Sequence, residues 1–160
     1  MTAARRSPAR AASPRTSPLS EVAPGVFVGG WKEAERFSGA RICVLDERPA
    51  ELDGWPGTEH VPIYDGAKDA PLVENLDRVA DWMHRAHATG APVMVFCGHG
   101  VRRGSLGGAW YLHRYAGMTL TEAFDAVAAV RPQIERPEEW IGHAELLEPS
   151  GGGSRRGRHA

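Results

Sequence analysis

Cysteine is scarce in this 160-residue chain, and the two that occur, Cys43 and Cys97, stand 54 residues apart with no Cys-x-x-Cys spacing. That excludes a disulfide framework and a structural zinc site, and it leaves reduced thiols of an intracellular, cytoplasmic protein as the expectation. Long apolar runs are missing too. None approaches the ~20 residues that a bilayer-crossing helix needs, so no membrane span is expected. Acidic residues are absent from both ends: residues 1–20 and 149–160 hold seven arginines and no Asp or Glu. The stretch 21–148 therefore carries 12 Lys/Arg against 20 Asp/Glu, a net of −8, which argues against a folded surface built for nucleic-acid phosphates.

The two ends consist of Ala, Ser, Pro, Gly and Arg and cannot bury enough apolar surface to offset the entropy of ordering. They read as a disordered basic tail over 1–20 and a disordered Gly/Arg tail over 149–160. Pro8, Pro14 and Pro18 would interrupt any amphipathic targeting helix in the first of them. What remains, 21–148, has the length of one domain.

Within it, short apolar β-branched runs alternate with helical patterns, the signature of an α/β fold. Strands are predicted at Val26–Val28, Ile42–Leu45, Val61–Ile63 and Val93–Phe96. Leu72, Leu76, Val79 and Met83 recur at helical spacing, with Glu74, Asp77, Arg78, Asp81 and Arg85 assigned to the opposite face, so a helix is expected from near Asp69/Pro71 to Gly90. Further helices are expected from Ser105 to about Tyr115, from a capping box at Thr119-Leu120-Thr121-Glu122 to Val130, and over Glu138–Leu147. His113 and the tryptophans Trp31, Trp55, Trp82, Trp110 and Trp140 read as packing or surface residues.

Chemistry concentrates where the apolar run Val93-Met94-Val95-Phe96 meets Cys97-Gly98-His99-Gly100-Val101-Arg102-Arg103-Gly104-Ser105. A strand, a tight loop and a helix N-terminus make an anion cradle, because successive backbone N–H groups converge on its centre and the helix dipole adds to their field. Gly98 and Gly100 supply backbone freedom and close approach. Arg103, six residues after Cys97, can return over the loop and grip two phosphate oxygens at once, which a lysine cannot do. The same positive surroundings favour Cys97 as a thiolate nucleophile. Cys43, in the middle of an apolar run, reads as structural.

This Cys-x5-Arg loop resembles that of the cysteine-dependent protein phosphatases, and specifically of the small, atypical dual-specificity phosphatases, whose loop reads His-Cys-x-x-Gly-x-x-Arg-Ser/Thr. Cys97, Gly100 and Arg103 stand at the matching positions. Ala23–Gly30 looks like the family's opening strand and turn, His60–Asp65 like its general-acid strand and Arg131-Pro132-Gln133-Ile134 like its closing Arg-Pro segment, so the likeness covers about residues 21–147.

The resemblance implies a single domain with a central, mostly parallel sheet flanked by helices and the active loop at the carboxyl end of a central strand. It also implies phosphomonoester hydrolysis through a phosphocysteine. Cys97 attacks phosphorus while Arg103 and the loop from Gly98 through His99, Gly100, Val101, Arg102, Gly104 and Ser105 hold the phosphate. Asp65, 32 residues before Cys97, protonates the leaving oxygen and then serves as base. Asp69 rivals it but also reads as a helix N-cap. No metal or other cofactor is called for, since the loop supplies the positive charge. The expected substrate is a phosphorylated protein or another phosphomonoester, with phosphotyrosine and phosphoserine/threonine both open.

Two positions depart from the family pattern. Phe96 replaces the histidine before the cysteine, and Gly104 replaces the hydroxyl residue after the arginine, with Ser105 one position late. These departures make a weakly turning-over, phosphate-binding relative the alternative reading. His99 and Arg102 read as a solvated rim or, alternatively, as added charge for a phosphate-rich substrate such as a phosphoinositide. A rhodanese-type sulfur-transfer domain also uses a cysteine loop after a strand but has no use for an upstream acid.

Overall fold

The computed structural model describes residues 19–64 and 72–141. β1 (Ser20–Ala23) and β2 (Val26–Gly29) form an antiparallel hairpin closed by Gly25 at φ +75. β2 runs parallel to β5 (Val93–Phe96), β5 parallel to β3 (Ala40–Cys43), and β3 parallel to β4 (Thr58–His60), so the strand order is β1-β2-β5-β3-β4. This is the mostly parallel sheet expected of an α/β domain. The helices are α1 (Trp31–Glu35), α2 (Leu72–Ala88), α3 (Arg103–Tyr115) and α4 (Leu120–Val130). Among the described residues no helix is long and apolar enough to cross a membrane.

β5 is central and wholly buried, as an uninterrupted Val-Met-Val-Phe run in a parallel sheet requires. Because side chains alternate along a strand, it feeds two cores. Val93, Val95 and then Cys97 face the larger one, with α2, α3 and α4; Met94 and Phe96 face a smaller one with Ala34, Phe37, Cys43 and Leu52. The same alternation turns Phe96 toward Trp31 and Trp55, whose rings lie 5.9 Å from its own.

α3 comes close to the sheet because Gly107 and Gly108 present no side chain to it. A Cβ on Gly108 would fall 2.3 Å from Val28 Cγ2, and one on Gly107 2.9 Å from Val95 Cγ2. Gly108→Ala is therefore expected to destabilise the fold by about 1–3 kcal/mol despite the better helix propensity of alanine, read as a lower midpoint in urea denaturation. An unchanged or higher midpoint would refute that close packing.

Sequence patterns and structure agree closely for β5, α2, α3 and α4. Thr119 caps α4 as its pattern predicts: Glu122 N donates to Thr119 Oγ1 at 3.0 Å and Thr119 N to Glu122 Oε1 at 2.9 Å. β3 is shifted by two residues relative to Ile42–Leu45. β4 lies just upstream of Val61–Ile63. Those two apolar residues are buried, and Val61 N and Ile63 N still donate to the carbonyls of Cys43 and Val44, but Pro62 between them has no N–H to offer. Over Glu138–Leu147 the structure shows a single 3₁₀ turn at Glu138–Trp140, and residues 142–147 lie outside the described ones.

One face of α2 differs from its polar assignment. Asp77 and Asp81 are held by Arg114 of α3, which is fully buried, at 3.2 and 3.1 Å. Trp110 Nε1 donates to Asp77 and the Tyr115 hydroxyl to Asp81. The two acids look like a solvent stripe because their cation arrives from another helix.

Candidate active site

The loop between β5 and α3 is held from outside. Four successive carbonyls, of residues 98 to 101, each accept a hydrogen bond from beyond the loop. Trp31 N donates to Gly98 O at 2.9 Å, Arg131 Nη2 to His99 O and Nε to Gly100 O, both at 2.9 Å, and Glu135 N to Val101 O at 2.8 Å. With the oxygens turned outward, the N–H groups are available to the inside, which is the arrangement of an anion nest. Gly100 adopts φ +68, and a Cβ there would meet the Gly29 backbone at 2.6 Å, so glycine is required at that point. Gly98 has no such need: its φ is not positive and a Cβ on it would meet open space.

Cys97 sits at the floor, 4% exposed, with its sulfur accepting from Gly100 N and Gly104 N at 3.2 Å each. The start of α3 thus delivers one of its unpaired N–H groups to the sulfur. Above lies a cleft of about 310 Å³ lined by Cys97, Gly98, His99, Val101, Arg102, Arg103 and Glu135. Arg103, half-buried, reaches it with one arm engaged: Nη1 lies 2.7 Å from Asp46 Oδ1, beyond the end of β3.

Of the residues singled out in the sequence, Cys97, Arg103, Gly98, His99, Val101 and Arg102 line one cleft. Gly100 and Gly104 lie beneath it as amide donors. A Cβ on Gly104 would stand 3.3 Å from the sulfur, so this position, and not the next, is where a hydroxyl would reach it. Ser105 instead turns its hydroxyl to the carbonyls of Val101 and Arg102, at 2.8 and 2.9 Å. Asp65 and Asp69 lie outside the described residues. Cys43 belongs to the smaller core, where burial pushes its thiol up to about 11 and keeps it neutral.

Three side chains gain a role here that sequence reasoning does not give them: Asp46, Glu135 and Glu33. Arg131 stands out in the sequence only as part of its segment. Its buried guanidinium joins the loop to Glu33 through Nη1 and Nη2, both at 2.9 Å, and to Ser20 Oγ at 3.0 Å. Glu33 also accepts from Gly30 N at 2.7 Å. Burial alone would raise the Glu33 carboxyl, but the Arg131 and Gly30 hydrogen bonds and the Arg131 charge outweigh it and hold it below the usual carboxylate range. The one local signal is Glu33 three residues after Gly30, a reach-back spacing at a helix start.

A mostly parallel sheet carrying a cysteine–arginine loop between its central strand and a helix is the arrangement of the protein tyrosine phosphatase superfamily. No family model matches the chain. Human dual specificity phosphatase 28 is 32% identical over 138 residues, spanning 81% of this chain and 78% of the relative. The crystal structure of human DUSP28 matches with a TM-score of 0.68 and 27% identity, covering 84% of this chain and 94% of that one. A MAP kinase phosphatase with leucine-rich repeats from Dictyostelium discoideum is 29% identical over 131 residues, 75% of this chain and 15% of its own length. The chain belongs to the atypical dual-specificity phosphatases of that superfamily.

Proposed function

We propose that the protein hydrolyses phosphomonoesters of phosphorylated proteins through a phosphocysteine on Cys97. The observation that carries this reading is the sulfur of Cys97 receiving two backbone N–H groups on the floor of a cleft that also holds Arg103. In the first step the thiolate attacks phosphorus in line, the S–P bond forms and the ester O–P bond breaks. Arg103 and the loop amides hold the three equatorial oxygens, where charge develops. Asp65 is our candidate for the acid that protonates the departing oxygen. Water then attacks the phosphocysteine, releases inorganic phosphate and regenerates the thiolate. The domain proposed to do this is 21–148, with tails on either side.

The second step is the one this loop supports least. Sulfur leaves most easily when a hydroxyl hydrogen-bonds it; Gly104 has none, and the Ser105 hydroxyl is committed to two carbonyls. The phosphoenzyme should therefore accumulate. Rapid-quench kinetics with p-nitrophenyl phosphate are expected to show a burst close to one equivalent of nitrophenol, followed by a slower phase. Release that is linear from time zero would contradict slow dephosphorylation, and no release at all would favour the phosphate-binding alternative that Gly104 also motivates. Gly104→Ser is expected to accelerate the slow phase.

A further inference from the structure

By sequence alone, Arg102 reads as a solvated rim or, alternatively, as added charge for a phosphate-rich substrate. The structure sets a carboxylate against it. Glu135 Oε1 lies 3.4 Å from Arg102 Nε, and the Arg102 guanidinium rests over the Trp140 ring, 5.1 Å from its centre. Glu135 is itself part of the wall of the Cys97 cleft.

Its position comes from the backbone and not from the ion pair. Glu135 N is bonded to Val101 O, four residues after Arg131 grips the carbonyls of His99 and Gly100. The segment that shapes the nest thus also carries a negative charge to its rim. The other arginine beside Cys97 is likewise matched, Arg103 by Asp46. Beyond these pairs, the cationic or partly positive groups facing the cleft among the described residues are the loop amides, the start of α3 and His99. That is a field sized for one phosphate group.

We infer that Glu135 is a specificity-determining residue that confines the cleft to substrates bearing a single phosphate and turns away those with a second anion beside it, multiply phosphorylated inositides included. The inference rests on the phosphomonoesterase reading and narrows its substrate class. A second phosphate seeking Arg102 meets the Glu135 carboxylate a few ångströms away, and like charges at that distance on a partly solvated surface weaken binding by roughly tenfold.

The test uses two matched peptides, one with a single phosphotyrosine and one with an added neighbouring phosphoserine. Their affinities are measured by fluorescence anisotropy on Cys97→Ser protein with Glu135 or with Glu135→Gln, and their hydrolysis on protein that keeps Cys97. Glu135→Gln is expected to raise affinity and kcat/KM for the doubly phosphorylated peptide roughly tenfold more than for the singly phosphorylated one, and to lose this difference as salt is added. A structural role would lower both peptides together. An unchanged ratio between them overturns the inference. Should the unmodified protein cleave neither peptide nor p-nitrophenyl phosphate, the phosphomonoesterase reading fails, while the ratio of affinities still decides the role of Glu135.

Discussion

Cys97→Ser is expected to abolish p-nitrophenyl phosphate hydrolysis, a loss of roughly 10⁴-fold or more, while leaving the fold intact. Serine is smaller than cysteine and fits the same floor, so the two N–H groups from Gly100 and Gly104 keep an acceptor. A hydroxyl, however, is a far weaker nucleophile than sulfur, and no base among the described residues hydrogen-bonds the side chain to take its proton. Inorganic phosphate should still bind to the variant, measured by isothermal titration, because the nest is backbone. Cys43→Ser is the internal control. The buried neutral thiol of Cys43 faces the smaller core, so its loss should lower stability and leave kcat/KM close to the parent value. Full activity in Cys97→Ser, or its disappearance in a folded Cys43→Ser, would overturn the assignment of the nucleophile.

The second large effect belongs to Arg131→Met, expected to cost about 3–5 kcal/mol of stability and to remove phosphate binding along with it. Arg131 is 5% exposed, and its guanidinium is the main partner of Glu33; without it that carboxylate keeps the Gly30 N–H and the nearby charge of Arg36. The carbonyls of His99 and Gly100 also lose their donor and are free to turn inward, where they would repel an anion. Adding Glu33→Gln to Arg131→Met separates the two consequences. The double variant is expected to recover part of the stability, read from urea midpoints, but not the affinity for phosphate. Recovery of both would mean that Arg131 serves only to neutralise Glu33. Because the fold holds the Glu33 carboxyl below its unfolded value, the clamp contributes fully above the unfolded value and weakens as pH falls through the folded one.

Legibility in the sequence tracks distance along the chain. β5, the loop and α3 are readable because an apolar four-residue run, two glycines and an arginine lie within a dozen positions, and each step has a local physical cause. The cap of α4 is readable for the same reason. α1 is not, since five residues carry too little periodicity to register. The groups around the loop are beyond reach in a different way. Arg131 and Glu33 are 98 positions apart and Arg103 and Asp46 57, and nothing at any one of these positions names its partner. Asp77 and Asp81 look solvent-facing on the same grounds, when a single helix is read without its neighbour. Val61 and Ile63 are buried as their apolar character predicts, but burial does not bring regular strand pairing with it where Pro62 interrupts the ladder.

The bonds of Arg131 span 111 residues to Ser20 at one extreme and 31 to Gly100 at the other. Contacts of such high order carry the loop-closure entropy of most of the domain. During synthesis Cys97 leaves the ribosome before Arg131 does, so its loop stays unbraced until Arg131 has emerged as well. On the proposed function, reactivity toward phosphate is thereby tied to completion of the domain, and a nascent or truncated chain lacking Arg131 would carry the thiol of Cys97 in an unbraced loop.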